Sequence, residues 1–334
     1  MSRSMTSECR RNASTVAAQI GDIGVYWING KSALAQERHI RMKAMLDRAG
    51  IASTRVPAVY PDELSALRKQ GLDLAAFDLV PRVTVRMDLR DGWRWKKDDA
   101  PHVKRMRRMY THGEIGNVLS HLRAVDAAFQ SGAAEALILE DDASFAYVPF
   151  WHHTLREIIA AAPDGWSLLR LHTSIGRHMG LARLCANPQA FVPWKKGHFS
   201  ATAYVVSRAG MRTLLNESGW PNLTRLSVYL TRAVTSPIQP LELRLGSGKA
   251  GSAVADDINF RALWPHVFTY TRPLFTTSGE RSALQENVLQ QTLGDPSNNF
   301  TASFYGCRSS PQPLNQRCTP IGRLQRLDWK NASS

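Results

Sequence analysis

The sequence predicts an α/β protein with a sheet of mainly parallel character. Two observations carry this prediction: the first sixty residues read as strand, helix, strand, and a short apolar run at 136–139 has the pattern of a buried central strand. Of the 334 residues, 43% are hydrophobic and 21% are charged, so the chain can bury a large core. This composition excludes disordered and collagen-like proteins.

The amino-terminal elements can be placed from local patterns. A strand is predicted at 23–28, before the turn signal at 29–30, and a second strand at 54–59. A helix is predicted between them, from Ser32 to a Gly50 cap. Its apolar spacing puts one set of side chains inward (Leu34, Ile40, Ala44, Leu46) and a basic set outward (Arg38, Arg41, Lys43, Arg48).

The later elements follow from caps and apolar runs. A capping box at 111–114 predicts a helix from about 112 to 130, because the threonine hydroxyl and the glutamate can each accept from the first backbone amides. Further strands are predicted at 166–171 and 201–206. Two more helices are predicted, one opened by Pro149 and ending near 162, and one capped by Ser207 and running through 215.

These elements predict a single domain over 22–290, with a flexible segment at 1–21, a basic insertion at 82–108 and a loosely packed tail at 291–334. No stretch has the ~20 apolar residues of a membrane-spanning helix, and the first 22 residues lack the apolar core of a secretory signal. We therefore expect a cytoplasmic or peripheral membrane protein, with a secretory lumen left open if the chain is a fragment. The four cysteines lack zinc-ligand spacing, and a disulfide between Cys307 and Cys318 needs an oxidising compartment.

The formal charge of +14 is unevenly distributed. Residues 82–108 contain ten Lys or Arg against four Asp, with Trp93 and Trp95 among them. Such a mixture can stack bases and neutralise phosphates, so nucleic-acid binding is a competing prediction. The four aspartates and the lack of a recognised motif make nucleic acid the weaker one. A solvated insertion accounts for most of these charges, and a docking surface for an anionic acceptor or a membrane face is the functional hypothesis.

Three adjacent carboxylates, Glu140, Asp141 and Asp142, directly follow the apolar run at 136–139. At the end of a buried strand they repel one another unless a cation neutralises them. Because alternate strand residues face the same side, Glu140 and Asp142 are predicted to meet one metal ion while Asp141 turns toward backbone amides or a sugar hydroxyl. A solvated acidic turn is the competing interpretation.

Two other polar clusters are candidate site elements. Asp256 and Asp257 follow a glycine-rich stretch at 246–252 that lacks the P-loop pattern. That stretch predicts either a mobile loop that lets Lys249 meet a phosphate or an ordinary connector. On the predicted helix 112–130, a polar stripe runs beside the apolar face and could line a cleft, although Glu114 could serve only as a cap (Glu114, Asn117, His121).

Five blocks, in order over about 23–285, resemble glycosyltransferase family 25, which contains lipooligosaccharide-type and collagen-type galactosyltransferases. The first is Tyr26-Trp-Ile-Asn29 with Arg38 and Arg41. The others are Gly113-Glu-Ile-Gly116 with Leu119-Ser120-His121, Leu137-Ile-Leu-Glu-Asp-Asp142, Tyr204-Val-Val-Ser-Arg-Ala-Gly210 and Ala255-Asp-Asp257. The chain departs from the family at Gly30, where leucine is usual, and at Asn117, where cysteine is frequent.

The resemblance implies a GT-A type, Rossmann-like fold with a mostly parallel mixed sheet, and an inverting hexosyltransferase that uses a UDP-sugar with Mn²⁺ or Mg²⁺. UDP-galactose is the first expectation for the donor and UDP-glucose the second. The acceptor is expected to be a glycan, lipooligosaccharide or glycoprotein. The alternative is a non-catalytic nucleic-acid or anionic-glycan binding protein on a transferase-like scaffold.

The family's site residues can be carried over onto this sequence. Glu140 and Asp142 are expected to hold the metal, and Asp256 or Asp257 is expected to deprotonate the acceptor hydroxyl. The remaining candidates are expected to bind the donor or acceptor: Asn29, Arg38, Glu114, Ser120, His121, Asp141 and Lys249.

Overall fold

A seven-stranded mixed sheet with helices on both faces forms the body of the protein in a computed structural model. The structure describes residues 15–75, 79–80, 110–145, 148, 151–173, 187–194, 200–235, 255–272 and 274–277. The strand order is β2-β1-β5-β9-β7-β10-β8, with β9 and β8 antiparallel to their neighbours and the other five strands running in one direction. The predicted α/β class with a mixed sheet is confirmed.

The described elements have the following bounds. The strands are β1 Gly24–Asn29, β2 Ser53–Pro57, β3 Leu79–Val80, β4 Tyr110–Thr111, β5 Glu135–Glu140, β6 Ala143–Ser144, β7 Leu168–Arg170, β8 Phe191–Pro193, β9 Ala203–Ser207, β10 Val267–Tyr270 and β11 Thr276–Thr277. The helices are α1 Val16–Ile20, α2 Ala33–Ala49, α3 Pro61–Lys69, α4 His112–Gln130, α5 Leu155–Ala160, α6 Arg208–Ser218, α7 Leu223–Thr235 and α8 Ala255–Ala262. The short pairs β3–β4 and β6–β11 lie outside the main sheet.

Strand β5 is an interior strand of the sheet, between β1 and β9, and separates two apolar cores. Ala136 and Ile138 face one core, which α3, α4, α6, α7 and α8 cover, while Leu137 and Leu139 face the other, which α1, α2 and α5 cover. All four side chains are fully buried. A strand buried on both faces carries an unbroken apolar run, and this explains the pattern at 136–139.

Helix α2 has the predicted ends but not the predicted face. The Ser32 hydroxyl accepts from the Ala35 amide, and Gly50 closes the helix with a left-handed φ of 68°. The inward assignment of Ile40 was wrong, because its side chain is 68% exposed, and Ala44 is exposed as well. The outward assignment of Arg38 was also wrong, because this side chain is only 3% exposed. A carboxylate of the turn after β5 compensates its buried charge, which sequence periodicity cannot show.

Helix α4 spans His112–Gln130, as predicted. It lies close to the loop that follows β2, since a Cβ at Gly116 would lie 2.3 Å from the carbonyl oxygen of Val59. Only glycine permits this approach. The contact holds the first turns of α4 against the loop after β2.

The next helix begins later than predicted. Pro149 does not open it: α5 begins at Leu155, where Thr154 and Glu157 form a capping box. The segment before it is held as a loop, because the Trp151 indole N–H donates to the carbonyl of Leu274.

Several predicted features lie outside the described residues, namely the basic insertion 82–108, Lys249, the four cysteines and the tail 291–334. Within the segment predicted to be flexible, Val16–Ile20 form a helix whose Ile20 is fully buried, so the folded body begins before residue 22. In the part of the chain that the structure describes, no helix is both long enough and apolar enough to cross a membrane.

Candidate functional site

The candidate site lies at the carboxyl edge of the sheet, where β1 and β5 end side by side. The two strands are parallel and pair Ile28 with Glu140, so Asn29 and the acidic turn lie at the same edge. Ligands of α/β proteins bind outside this edge. The alternation of β5 continues through the turn: Glu140 contacts α4, whereas Asp141 contacts α2.

Asp141 is bound by side chains of two other elements. One carboxylate oxygen accepts from Asn29 Nδ2 at 2.7 Å and the other from Arg38 Nη1 at 2.8 Å. Asn29 also donates to the Ala35 carbonyl at 2.7 Å and accepts from Arg55 Nε at 3.0 Å. Within the protein, side chains of Asn29 and Arg38 bind Asp141 and form a clamp that joins β1, α2 and β5.

The clamp predicts a stability effect for Arg38→Met. Removing the guanidinium leaves the carboxylate of Asp141, whose side chain is 12% exposed, without its buried charge partner, so the free energy of unfolding is expected to fall by about 3 kcal/mol. Urea unfolding followed by circular dichroism measures this. The double variant Arg38→Met/Asp141→Leu is expected to recover part of the loss, and a double variant less stable than Arg38→Met would contradict a clamp based on charge.

Glu140 is bound on both carboxylate oxygens. Oε1 accepts from Asn117 Nδ2 at 3.1 Å and lies 3.4 Å from His121 Nε2, while Oε2 accepts from Thr202 Oγ1 at 3.0 Å. Burial alone would raise the pKa of Glu140, but the hydrogen bond to His121 and the positive charge of that ring when protonated, followed by hydrogen bonds from Asn117 and Thr202, lower that pKa to about 2. Glu140 is therefore ionised at neutral pH. The predicted polar stripe of α4 supplies two of the three donors.

Asp142 has the opposite electrostatic character. Its Oδ1 is buried and has no hydrogen-bond partner among the described residues, and its Oδ2 lies 3.7 Å from Arg38 Nη1. Burial and then repulsion by Glu140 raise the pKa of Asp142 to about 7, and Arg38 opposes the shift. The Oδ1 of Asn117 is a second buried oxygen without a partner in the described part of the chain. Two buried oxygen acceptors without hydrogen-bond partners in the described part of the chain therefore lie on residues next to Glu140 or bound to it.

These residues fit a divalent cation with few protein ligands. Carboxylate and amide oxygens are the donors that Mg²⁺ and Mn²⁺ prefer. The described residues contain no group of three or more His, Cys, Asp or Glu that could hold a metal by itself. One or two carboxylates combined with phosphate oxygens of a substrate are a common Mg²⁺ site, and Asp142 beside Glu140 fits that composition.

The other predicted site residues lie on α4, on α8 or outside the described residues. Ser120 binds backbone, since its hydroxyl donates to the Gly116 carbonyl at 2.6 Å and accepts from the Val59 amide at 2.8 Å. Glu114 lies partly exposed in the first turn of α4. Asp256 and Asp257 are in the first turn of α8, and Lys249 lies outside the described residues.

Helix α8 reaches the site through its second turn. Phe260 packs edge-on against Tyr204, with ring centroids 5.2 Å apart, and the Tyr204 hydroxyl lies 3.0 Å from His121 Nδ1. Asn259 of the same helix donates to the Val118 carbonyl of α4 at 3.2 Å. Position 256 is four residues before Phe260 and therefore lies one turn away on the same face of α8.

Sequence analysis missed the residues that β9 brings to the site. The antiparallel pairing of β9 with β5 places Thr202 opposite Glu140, whose amide donates to the Thr202 carbonyl at 2.9 Å. His172 and Ser200 join Thr202 in one hydrogen-bonded chain. The polar Thr202 near the start of the strand predicted at 201–206 was the available signal, but a single sequence does not show which strands pair.

The departure at Gly30 has a local explanation. A Cβ at this position would lie 2.0 Å from the Tyr60 hydroxyl oxygen. That hydroxyl accepts from the amides of Lys31 and Ser32 at 3.0 and 3.2 Å, so Tyr60 occupies the space that a larger side chain at position 30 would need. Tyr60 thereby orders the start of α2, the helix that carries Arg38.

A helix-flanked mixed sheet with an acidic turn at the end of an interior strand is consistent with an α/β protein of the GT-A-like glycosyltransferase class. The sequence model of glycosyltransferase family 25 (LPS biosynthesis protein) matches residues 25–224. The chain belongs to this family. The matched range includes Asn29, the acidic turn and Thr202, whereas Asp256 and Asp257 lie beyond it. No curated protein matches the chain at a significant level.

Proposed function

We propose that the protein is an inverting, metal-dependent hexosyltransferase, with UDP-galactose as the first donor and UDP-glucose as the second. The hexose is moved to a hydroxyl of a glycan, lipooligosaccharide or glycoprotein acceptor. The observation that carries the proposal is the acidic turn at the carboxyl edge, where Asp142 keeps a buried oxygen without a partner among the described residues. Membership in family 25 supports the reaction class.

The proposed metal site consists of Asp142 and Glu140. A Mn²⁺ or Mg²⁺ ion bound there supplies positive charge that offsets the negative charge of the diphosphate leaving group. The protein holds the surrounding carboxylates in place: Arg38 and Asn29 bind Asp141, and the donors on α4 and before β9 bind Glu140. The remaining family positions, Glu114, Ser120, His121 and Lys249, are proposed to shape or contact the donor and acceptor pockets.

The proton of the acceptor hydroxyl needs a base. We assign this role to Asp256 or Asp257, because they lie on α8, a different element from the acidic turn, and can approach the sugar from another side. The hydroxyl oxygen bonds to the anomeric carbon, the bond from that carbon to the UDP oxygen breaks, and the carboxylate receives the proton. Attack opposite the leaving group inverts the anomeric configuration.

Thermal stability with UDP and Mn²⁺ tests the donor and metal assignments. A ligand that binds only the folded protein at 100 times its dissociation constant stabilises it by about 2.7 kcal/mol, so a melting-temperature rise of several degrees is expected, and EDTA should abolish it. A panel of UDP-sugars with UDP release as readout then identifies the donor. A rise that persists in EDTA would contradict the metal assignment.

Matched variants separate the site from general effects. Asp142→Asn is expected to lose the Mn²⁺-dependent part of UDP binding. Asp47 is an exposed carboxylate of α2 paired with Lys43, and Asp47→Asn is expected to keep that binding.

The basic insertion 82–108 is the proposed docking surface for an anionic acceptor or membrane face. Salt-sensitive binding of DNA or RNA without any effect of UDP would instead favour the non-catalytic binding protein.

A further inference from the structure

A four-membered hydrogen-bonded chain ends on Glu140. His172 Nδ1 lies 2.8 Å from Ser200 Oγ, Ser200 Oγ donates to Thr202 Oγ1 at 2.8 Å, and Thr202 Oγ1 donates to Glu140 Oε2 at 3.0 Å. His172 and Thr202 are almost fully buried. The chain joins the segment after β7 to the segment before β9 and then to the end of β5.

The direction of every hydrogen bond in this chain follows from proton counting. Glu140 is an acceptor, so the single hydroxyl proton of Thr202 points to it, and the proton of Ser200 must point to Thr202. Ser200 Oγ also accepts from the Thr202 amide at 3.1 Å. Because the only hydroxyl proton of Ser200 is directed at Thr202, His172 Nδ1 can pair with Ser200 Oγ only as a donor, so His172 carries a proton on Nδ1.

A second arm reaches the other oxygen of Glu140. His121 Nε2 is the nitrogen that faces Glu140, and His121 Nδ1 faces the Tyr204 hydroxyl at 3.0 Å. When the ring carries one proton and Nε2–H is directed at the carboxylate, Nδ1 accepts the Tyr204 proton. Burial and the charge of Glu140 raise the pKa of Tyr204, which keeps the phenol protonated. His121 is therefore protonated on Nε2, the opposite tautomer to His172.

The backbone at Ser200 supports a functional rather than a packing role. Its φ of 98° lies in the left-handed region, which serine rarely adopts. Such strain costs of order 1–3 kcal/mol and persists where the surrounding structure holds it, commonly at functional sites. Here the strained residue supplies the hydroxyl that links His172 to Thr202.

We propose that His172, Ser200 and Thr202 are positioning residues that orient the Glu140 carboxylate from one side, while Tyr204 and His121 orient it from the other. All protons of the two arms point toward Glu140, so the carboxylate is fixed before any ligand arrives. Residues behind a ligating carboxylate typically change metal affinity or activity by about 10- to 100-fold when mutated. The expected effect on activity rests on the proposed transferase function, whereas the expected histidine tautomers do not.

The tautomers are measured by long-range ¹H–¹⁵N correlation spectra of the full chain at pH 8, with signals assigned from His172→Gln and His121→Gln variants. The expected result is a proton on Nδ1 of His172 and on Nε2 of His121. A His172 ring protonated on Nε2 would overturn the proposal. This measurement uses no substrate, so it separates a failure of the positioning chain from a failure of the transferase assignment.

Measurements of turnover test whether the hydrogen-bonded chain does more than stabilise the fold. Thr202→Val should lower kcat/KM about 10- to 100-fold and Thr202→Ser should restore it, because serine keeps the hydroxyl. Thr271→Val is the matched control, because the Thr271 hydroxyl donates to the backbone carbonyls of Gln189 and Ala190 and not to Glu140. For this variant kcat/KM should stay near the wild-type value. Equal losses in Thr202→Val and Thr271→Val would overturn the proposal.

Two further variants distinguish a positioning role from a purely structural one. Ser200→Gly removes the hydroxyl and relieves the left-handed backbone, so the melting temperature should hold or rise while kcat/KM falls. His172→Asn keeps a donor near the Nδ1 position and should retain more activity than His172→Leu. A Ser200→Gly variant with full activity would contradict the chain.

Discussion

Asp142→Asn is expected to stabilise the metal-free protein at pH 8 by up to about 4 kcal/mol. The reason is the raised pKa of Asp142, from 3.8 to about 7, which burial and repulsion by Glu140 cause. At pH 8 the native protein must hold this carboxylate ionised in a site that disfavours it, and each pKa unit corresponds to about 1.36 kcal/mol. An amide at the same position carries no charge and removes that cost.

The pH dependence has a definite sign. Between about pH 4 and 7 the unfolded carboxyl of Asp142 loses its proton while the folded one keeps it, so the free energy of unfolding falls as pH rises through this window. The advantage of Asp142→Asn should therefore shrink as the pH is lowered toward 4. Glu140 acts in the other direction: its pKa, lowered to about 2, gives stability above about pH 4.5 that is lost as the pH falls toward 2.

Denaturant unfolding in EDTA at pH 5 and pH 8 measures the Asp142 trend. Asp47→Asn serves as the control, because loss of this exposed pair with Lys43 should change stability by at most about 0.5 kcal/mol at either pH. Addition of Mn²⁺ should stabilise the wild type at pH 8 and leave Asp142→Asn unchanged. If Asp142→Asn were less stable than the wild type in EDTA at pH 8, the electrostatic account of Asp142 would be wrong.

Removing the proposed base is expected to have the largest effect on turnover. Either Asp256→Asn or Asp257→Asn should lower kcat about 100- to 10,000-fold, the usual contribution of a positioned general base, and leave UDP-sugar binding intact. Asparagine is as acceptable as aspartate at a helix start, so α8 should still form. Single-turnover kinetics and donor titration measure the two quantities separately.

Another helix offers a matched comparison. Asp62 lies in the first turn of α3 and pairs with Lys31, so Asp62→Asn makes the same chemical change at the start of a helix that has no proposed catalytic role. It should leave kcat near wild type. Full activity in both Asp256→Asn and Asp257→Asn would remove these residues from the mechanism.

Local patterns predicted most of the fold because each element carries its own ends. Ser32 and Gly50 bound α2, and the structure confirms a helix over the predicted 112–130. The buried run at 136–139 predicted β5 because a strand covered on both faces has no polar side to interrupt it. These signals depend on residues close together in the chain.

The site was only partly predictable because its contacts are long-range. Arg38 looked like a solvent-facing residue by periodicity, yet Asp141, more than a hundred positions away, makes burial of its charge favourable. Thr202 reaches Glu140 through an antiparallel pairing that no local pattern encodes. Acidic residues at the end of a strand could be found from sequence, whereas the groups that set their protonation could not.

The antiparallel position of β9 also determines when the site can exist during folding. The end of β5 meets the beginning of β9, so the hydroxyl that steadies Glu140 belongs to a segment synthesised some sixty residues after the acidic turn. A nascent or truncated chain that stops before Thr202 therefore contains the complete acidic motif without the donors on its second flank. The cleft is therefore complete only when β9 has joined the sheet, and partial products of the chain are expected to be inert rather than weakly active.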